Sequence, residues 1–174
     1  RSLIGGLVAD GHDPQRIRVA DPDSAQREGL RASWPVHCTE DNLEAAEHAD
    51  VLVLAVKPQQ AHAVCDQLRH AIQQNAPVVV SVAAGLRATD LDRWLGGDAA
   101  VVRAMPNTPA LVQSGAAALY ANERVSDAQR DLAETVMRAA GLTLWVDDEA
   151  QMDAVTALSG SGPAYFFLVM EAME

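Results

Sequence analysis

The sequence has 174 residues, 49% of them hydrophobic, so the chain can bury a sizeable core and is not wholly disordered. Its formal net charge of −11 comes from 13 basic and 24 acidic residues, and such a surface repels nucleic acid and anionic membranes. Two cysteines give no disulfide framework and fit a reducing cytoplasm, and no apolar run approaches the roughly 20 residues of a membrane span. We therefore predict a cytoplasmic protein with no nucleic-acid or membrane partner.

Strand and helix patterns alternate along most of the chain. Residues 1–11 have the pattern of a helix already in progress, and the last residues lie inside another apolar helix, so we expect an internal portion of a longer protein. The predicted strands are 17–20, 36–38, 51–56, 77–82, 101–105, 116–120 and 142–146. Helical patterns separate them at 24–31, 42–48, 58–72, 89–95 and 126–140, and further helices follow at 152–158 and 164–174. This order predicts an α/β fold with a doubly wound, largely parallel sheet.

The apolar run Val51–Val56 organises this prediction. Six apolar residues without a break are typical of a strand that is buried on both faces, so we place this strand in the interior of the sheet. No strand pattern follows Asp147–Glu149. We therefore predict two domains, one of alternating strands and helices at 1–148 and the beginning of a helical domain at 149–174.

Helix termini give a second set of predictions. Thr89 with Asp92 and Ser126 with Gln129 have capping-box spacing, and Gly96 is placed to end the first of these helices. The helix after Ser126 is expected to bury Leu132.

Lys57 and Pro58 follow the organising strand. Proline is favoured at the first position of a helix, and the free amides of a helix N-terminus attract anions. Lys57 is thus a candidate contact for a cofactor phosphate or ribose, although on this residue alone a solvated loop lysine is the preferred interpretation.

Two polar residues could contact the adenosine part of a cofactor. Asp21 follows an early strand, where an acid can bind the ribose diol and repel a 2′-phosphate, but Asp-Pro-Asp is also an ordinary turn sequence. Asn42 could make a similar contact, and as an isolated residue it is better interpreted as a helix N-cap.

Two loops are candidates for substrate contacts. Between Pro106 and Pro109, Asn107 and Thr108 present an amide and a hydroxyl at the end of a strand, where α/β sheets bind ligands, although a structural turn is the alternative. Ser159-Gly160-Ser161 offers small residues and free amides before a helix, and it could line a cleft or serve as a linker. The histidines and cysteines show no metal-ligand spacing, and no nucleophile elbow is present.

Taken together, these motifs resemble those of the pyrroline-5-carboxylate reductase family. The residues that carry the resemblance are Ala55–Gln59, Ser81–Gly85, Arg103–Ala110 and Asp153–Phe166. The resemblance implies a Rossmann domain that binds NADH or NADPH and a helical C-terminal domain that forms a homodimer or a larger homo-oligomer. It implies reduction of a cyclic imine carboxylate, L-1-pyrroline-5-carboxylate, to L-proline in proline biosynthesis.

The resemblance also assigns residues to the cofactor. It places Ala55, Val56, Lys57 and Pro58 in one cofactor-binding loop, Val82, Ala83 and Ala84 in a second, and Asn42 and Asp21 at further contacts. The family's glycine-rich turn would precede Arg1, and its late substrate-binding segment, with any catalytic residue, would follow Glu174, so the isolated chain need not be active. No metal is expected.

Three alternatives stay open at this stage. A reductase of the β-hydroxyacid dehydrogenase type has the same architecture but would require a catalytic lysine on a later helix, and no lysine follows Lys57. A nucleotide-sensing regulatory module would not consume NADH when the imine is added. A plain dimerisation module would not need polar loops at strand ends.

Overall fold

Seven strands and eight helices follow one another in the computed structural model, which describes residues 1–112 and 114–174. The strands are β1 (Arg18–Ala20), β2 (His37–Thr39), β3 (Val51–Leu54), β4 (Val78–Ser81), β5 (Ala100–Met105), β6 (Gly115–Ala121) and β7 (Gly141–Trp145). The helices are α1 (Ser2–Ala9), α2 (Ser24–Ser33), α3 (Asn42–Ala46), α4 (Pro58–Asn75), α5 (Ala88–Leu95), α6 (Asp127–Arg138), α7 (Gln151–Val155) and α8 (Gly162–Met173). Short 3₁₀ turns lie at Pro14–Arg16 and Thr108–Val112, and a π-helical turn at Thr156–Gly160 joins α7 to α8.

The strands form two sheets. β1 and β2 pair in parallel, and the second sheet has the order β3-β4-β5-β6-β7. All its pairs are parallel except β5 with β6, which is antiparallel. The predicted largely parallel α/β fold is confirmed.

Both faces of the larger sheet carry a core. On one face, Val79 and Val101 pack with the buried residues of α4 and α5. On the other, Val80 and Val102 pack with Met137 of α6. β4 is buried along its whole length, as expected for a continuous apolar strand covered on both faces.

The predicted interior position of Val51–Val56 is wrong for the described chain. The strand ends at Leu54, and β3 is the terminal strand of its sheet, bonded only to β4 among the described strands. Leu52 and Leu54 are buried, whereas Val51 and Val53 are only half-buried. An unbroken apolar run reports burial of both faces, but it does not report whether both edges of the strand are paired.

Three predictions about helices also change. The N-cap of α3 is Asp41, whose carboxylate accepts the Leu43 N–H, so Asn42 is the first helical residue. The predicted capping box of Thr89 and Asp92 does not form, because α5 begins after Arg87 and the Asp92 carboxylate accepts the Ala99 N–H. Leu132 is 43% exposed, since α6 turns Ala133 and Met137 toward the core. The capping box of Ser126 and Gln129 and the left-handed Gly96 are confirmed.

The last 24 residues run as a nearly continuous helical segment. The expected break at Ser159–Pro163 is instead the π-helical turn, in which the Ser161 N–H donates to the Thr156 carbonyl oxygen, and α8 follows directly. No residue of α8 is buried. Among the described residues, no helix is both long and apolar enough to cross a membrane.

Candidate functional site

A cavity of about 380 Å³ opens where β3, β4 and β5 end. Val53 lines it from β3, Ala55 and Val82 from the residues directly after β3 and β4, and Pro106 from the loop after β5. This is the carboxyl edge of the parallel strands, where open α/β sheets bind ligands. The remaining lining residues are Ser2, Leu3, Asn107, Thr108, Ala110, Met137, Ala140 and Gly160.

Asn107 joins the two loops predicted to contact the substrate. Its Oδ1 accepts the Ala116 N–H at 2.9 Å, and its Nδ2 donates to the Ser159 hydroxyl oxygen at 3.3 Å. The sequence predicts that Asn107 serves the site, so that truncating its side chain would lower activity but not stability. The two bonds change that expectation, because Asn107→Ala would leave the Ala116 N–H without its acceptor.

The π-helical turn places Gly160 at the cavity, and the neighbouring Ser159 accepts from Asn107, which also lines the cavity. A Cβ on Gly160 would lie 3.4 Å from the Met105 sulfur, so the turn packs closely on the end of β5. π-helical turns inserted in helices are frequent at functional sites. Ser161 is half-buried one residue further on, while Thr108 is exposed at the cavity rim.

The two predicted cofactor loops lie side by side, because β3 and β4 are neighbours in the sheet. Lys57 is the N-cap residue of the 18-residue helix α4, its side chain is exposed and makes no capping bond, and Pro58 opens the helix. Val56 is half-buried beside it, and in the second loop Ala83 is buried and Ala84 is exposed.

Asp21 and Asn42 lie at the carboxyl edge of the smaller sheet and do not line the cavity. The Asp21 carboxylate accepts the Asp23 N–H at 2.9 Å, and the Asn42 amide donates to the Gln67 side chain at 2.9 Å. Both residues therefore have a local structural role in this protein. Neither bond uses all of the side chain's polar atoms, so a ligand contact is still available to each.

An arginine near Asp21 is already engaged. The Arg27 guanidinium donates to the Asp21 carbonyl oxygen at 2.5 Å and lies 3.5 Å from the Glu40 carboxylate, with 14% of the side chain exposed. A cation held in this way has less capacity to bind a cofactor 2′-phosphate.

One charged pair near the site was not predicted as a functional feature. Arg103 lies in the fully buried strand β5, and its Nη1 is 2.7 Å from a Glu149 carboxylate oxygen. Burial raises the pKa of the nearby Tyr120 hydroxyl, and Glu149 raises it further. An arginine within an otherwise apolar strand pattern was the available signal, because such a charge needs a partner.

Within the described ranges, no three His, Cys, Asp or Glu side chains are close enough together to hold a metal ion.

Comparison with known proteins assigns the chain to a family. Residues 1–85 match the family profile "NADP oxidoreductase coenzyme F420-dependent", and residues 149–174 match "Pyrroline-5-carboxylate reductase dimerisation". Pyrroline-5-carboxylate reductase from Pseudomonas aeruginosa is 52% identical over 172 residues, which is 99% of this chain and 63% of that protein. The chain belongs to the pyrroline-5-carboxylate reductase family. The resemblance drawn from the motifs is confirmed.

Solved structures of the family have the same fold. The structure from Coxiella burnetii superposes with a TM-score of 0.94 at 46% identity, over 99% of this chain and 64% of that one. The Plasmodium falciparum structure, which has NADP bound, superposes with a TM-score of 0.86 at 27% identity, over 98% of this chain and 62% of that one. The chain thus spans less than two thirds of the length of these pyrroline-5-carboxylate reductases.

Proposed function

We propose that the protein carrying this chain reduces L-1-pyrroline-5-carboxylate to L-proline with NADH or NADPH. The observation that carries the proposal is the cavity at the carboxyl edge of β3, β4 and β5, where Asn107 from one loop meets Ser159 from the other. This contact joins two of the four stretches that carry the family motifs, Arg103–Ala110 and Asp153–Phe166.

The domain division supports this proposal. We assign residues 1–148 to nucleotide binding and residues 149–174 to the beginning of the helical dimerisation domain. All seven strands of the described chain lie in the first part, and the second part is helical. The cavity takes lining residues from both parts, with Gly160 from the second.

The residues present fit a nicotinamide dinucleotide. When bound, NADH or NADPH supplies the hydride that reduces the imine. The exposed Lys57 and the positive end of the α4 helix dipole provide positive charge for a phosphate. Val53, Ala55 and Val82 offer an apolar wall to a flat ring, and Asp21 and Asn42 provide acceptors and donors at the other sheet.

A cyclic imine carboxylate fits the other side of the cavity. Pro106 and Gly160 leave an apolar space for a small ring. The hydroxyl of Thr108 at the rim, and those of Ser159 and Ser161 on either side of Gly160, can donate to a carboxylate. These residues bind and orient the imine against the nicotinamide, which is the contribution required of the protein in hydride transfer. We assign no catalytic acid or base to residues 1–174.

The protein is also proposed to be a cytoplasmic homodimer or larger homo-oligomer. The match to the dimerisation profile and the exposed apolar helix α8 support the assembly. Cys38 and Cys65 are free and buried, and burial raises the pKa of the Cys65 thiol to about 11. Protected thiols are compatible with a reducing compartment.

Absorbance at the NADH band tests the activity directly. The full-length protein is expected to consume NADH or NADPH when L-1-pyrroline-5-carboxylate is added, with proline as the product by chromatography. 1-Pyrroline, which lacks the carboxylate, is the matched control and should react much more slowly. Binding of NADH without consumption would instead favour a regulatory module.

Replacing Asp21 with serine is expected to improve the use of NADPH relative to NADH. A carboxylate opposes a nearby 2′-phosphate by roughly 1 kcal/mol, so the ratio of kcat/KM values for the two cofactors should shift about fivefold. Serine can keep the turn, because its hydroxyl can accept the Asp23 N–H. Asp13→Ser is the control, since Asp13 accepts the Gln15 N–H in a similar turn before β1, at the other end of that strand. An unchanged cofactor ratio in Asp21→Ser would show that this carboxylate does not face the ribose.

Replacing Lys57 with alanine is expected to weaken cofactor binding and leave the fold intact. Loss of one cation at a phosphate should raise the Kd for NADH by roughly fivefold to tenfold, measured by fluorescence titration. The melting temperature should stay near wild type, because the side chain is exposed and makes no capping bond. Arg138→Ala removes an exposed cation from the last turn of α6 and should change neither value. A large drop in melting temperature with an unchanged Kd would assign Lys57 to the fold.

A further inference from the structure

The Arg103–Glu149 pair connects three elements beside the proposed site. Arg103 is 4% exposed in the middle of β5, and its Nη1 donates to Glu149 Oε1 at 2.7 Å. The same carboxylate oxygen accepts the N–H of Ala88, the first residue of α5, at 2.6 Å. One carboxylate therefore ties the start of the helical segment to a strand and to a helix of the nucleotide-binding part.

Stability is a weak explanation for this arrangement. Taking an arginine and a glutamate out of water costs several kcal/mol, and an apolar pair of similar volume often stabilises a fold as well or better. What a charged pair adds is direction, because a guanidinium and a carboxylate join at a defined distance and angle. The pair is better explained by the fixed position that Arg103 gives to Glu149.

The segment after Glu149 is fixed at two further points. Met152 is fully buried against Met105 and Ala118, and Ser159 accepts from Asn107 at 3.3 Å. Met105 and Asn107 follow Arg103 on the same stretch of chain. Residues 149–159 are thus tied at both ends to β5 and the loop that leaves it.

We propose that Arg103 and Glu149 form a positioning pair that holds Ser159 and Gly160 in register with Asn107 at the cavity. This inference rests on the proposed function, in which these residues orient the imine. The pair touches neither substrate nor cofactor. It acts through the segment that begins at Glu149, and a shift of about 1 Å in such a segment can cost on the order of 100-fold in rate.

Glu149→Gln in the full-length protein tests the pair. The amide is the same size as the carboxylate and can still accept from Ala88, so the variant should fold while losing the charged bond to Arg103. We expect kcat/KM for the imine to fall by roughly 10- to 100-fold. The Kd for NADH should stay within about twofold of wild type, because Lys57 and the loops at 55–58 and 82–84 are unchanged. Arg103→Lys keeps the charge and should retain more activity than Glu149→Gln.

Asp92→Asn is the matched control. The Asp92 side chain is 20% exposed, against 19% for Glu149, and it likewise accepts a backbone N–H, from Ala99 at 2.8 Å, and faces an arginine, Arg124. It lies by the residue that precedes β5, away from the cavity. Its loss should lower the melting temperature but leave kcat/KM for the imine within twofold.

Hydrogen exchange gives a readout that does not depend on activity. Amides of residues 152–161 should exchange faster in Glu149→Gln than in wild type, and at the wild-type rate in Asp92→Asn. If Glu149→Gln has wild-type exchange there, or lowers only the melting temperature while kcat/KM is unchanged, the positioning role is wrong. If the wild-type protein does not reduce the imine at all, the proposed function fails, and the exchange rates still decide whether the pair holds the segment.

Discussion

Replacing Phe166 and Phe167 with glutamate is expected to break the assembly of the full-length protein or to leave it insoluble. The six consecutive residues Tyr165–Met170 of α8 are each 55–72% exposed. A helix that is apolar on every face requires a cover on every face, and the described chain supplies none. A second copy is the cover that the proposed dimer would supply.

The expected size of this effect follows from the apolar area that the two phenylalanine side chains would bury. Burying one phenylalanine contributes about 2 kcal/mol, so losing two should weaken association on the order of a thousandfold. Light scattering at micromolar concentration should show a dimer or larger assembly for wild type and a lower mass for the double variant. Leu132→Glu is the control, because it places a carboxylate at an exposed leucine of α6, outside α8. A soluble, active wild-type monomer would contradict the assignment of α8 to an interface.

The fold was predictable because its signals are local. Short, mostly apolar stretches between helical patterns predicted all seven strands, two of them as continuous apolar runs, and Ser126 with Gln129 predicted a complete capping box. Strand periodicity reports which faces are buried, and helix caps involve neighbours within three residues. Both kinds of signal are contained in one short stretch of sequence.

The features that were missed depend on distant residues or on competition between neighbours. Edge pairing of β3 is set by which strand lies beside it, not by its own residues. Asp92 satisfies the Ala99 N–H in preference to capping α5, and Asp41 caps α3 in preference to Asn42, although each alternative has the right residue type. Which backbone N–H a side chain accepts at a helix end thus depends on where the chain runs before and after that helix.

The same difference between local signals and contacts of distant residues applies to the candidate site. The loops 55–58, 82–84, 106–109 and 159–161 could be predicted one by one, since each follows a strand or opens a helix. Their meeting could not be predicted from spacing, because Asn107 and Ser159 are 52 residues apart and Arg103 and Glu149 are 46 apart. Only the folded chain shows that one segment closes over the end of β5.

Replacing Gly6 with alanine is expected to destabilise the protein strongly and to disturb the cavity. Gly6 is buried where α1 crosses the end of α6, and an added Cβ would lie 1.9 Å from the Ala139 carbonyl oxygen. The two helices would have to separate by roughly 1.5 Å to restore a normal contact, at a cost of ~3 kcal/mol, since a backbone carbonyl cannot rotate away as a side chain can.

The same displacement reaches the site, because Ser2 and Leu3 of α1 line the cavity. We expect the melting temperature of Gly6→Ala to fall by roughly 5–10 °C and its kcat/KM for the imine to fall at least about tenfold. Gly5→Ala is the matched control on the same helix. The atoms nearest to its Cβ would belong to the Trp34 ring, at 3.1 Å, and that side chain can shift by a few tenths of an ångström. Its melting temperature should therefore stay within a few degrees of wild type, whereas wild-type stability in Gly6→Ala would show that α1 does not lie this close to α6.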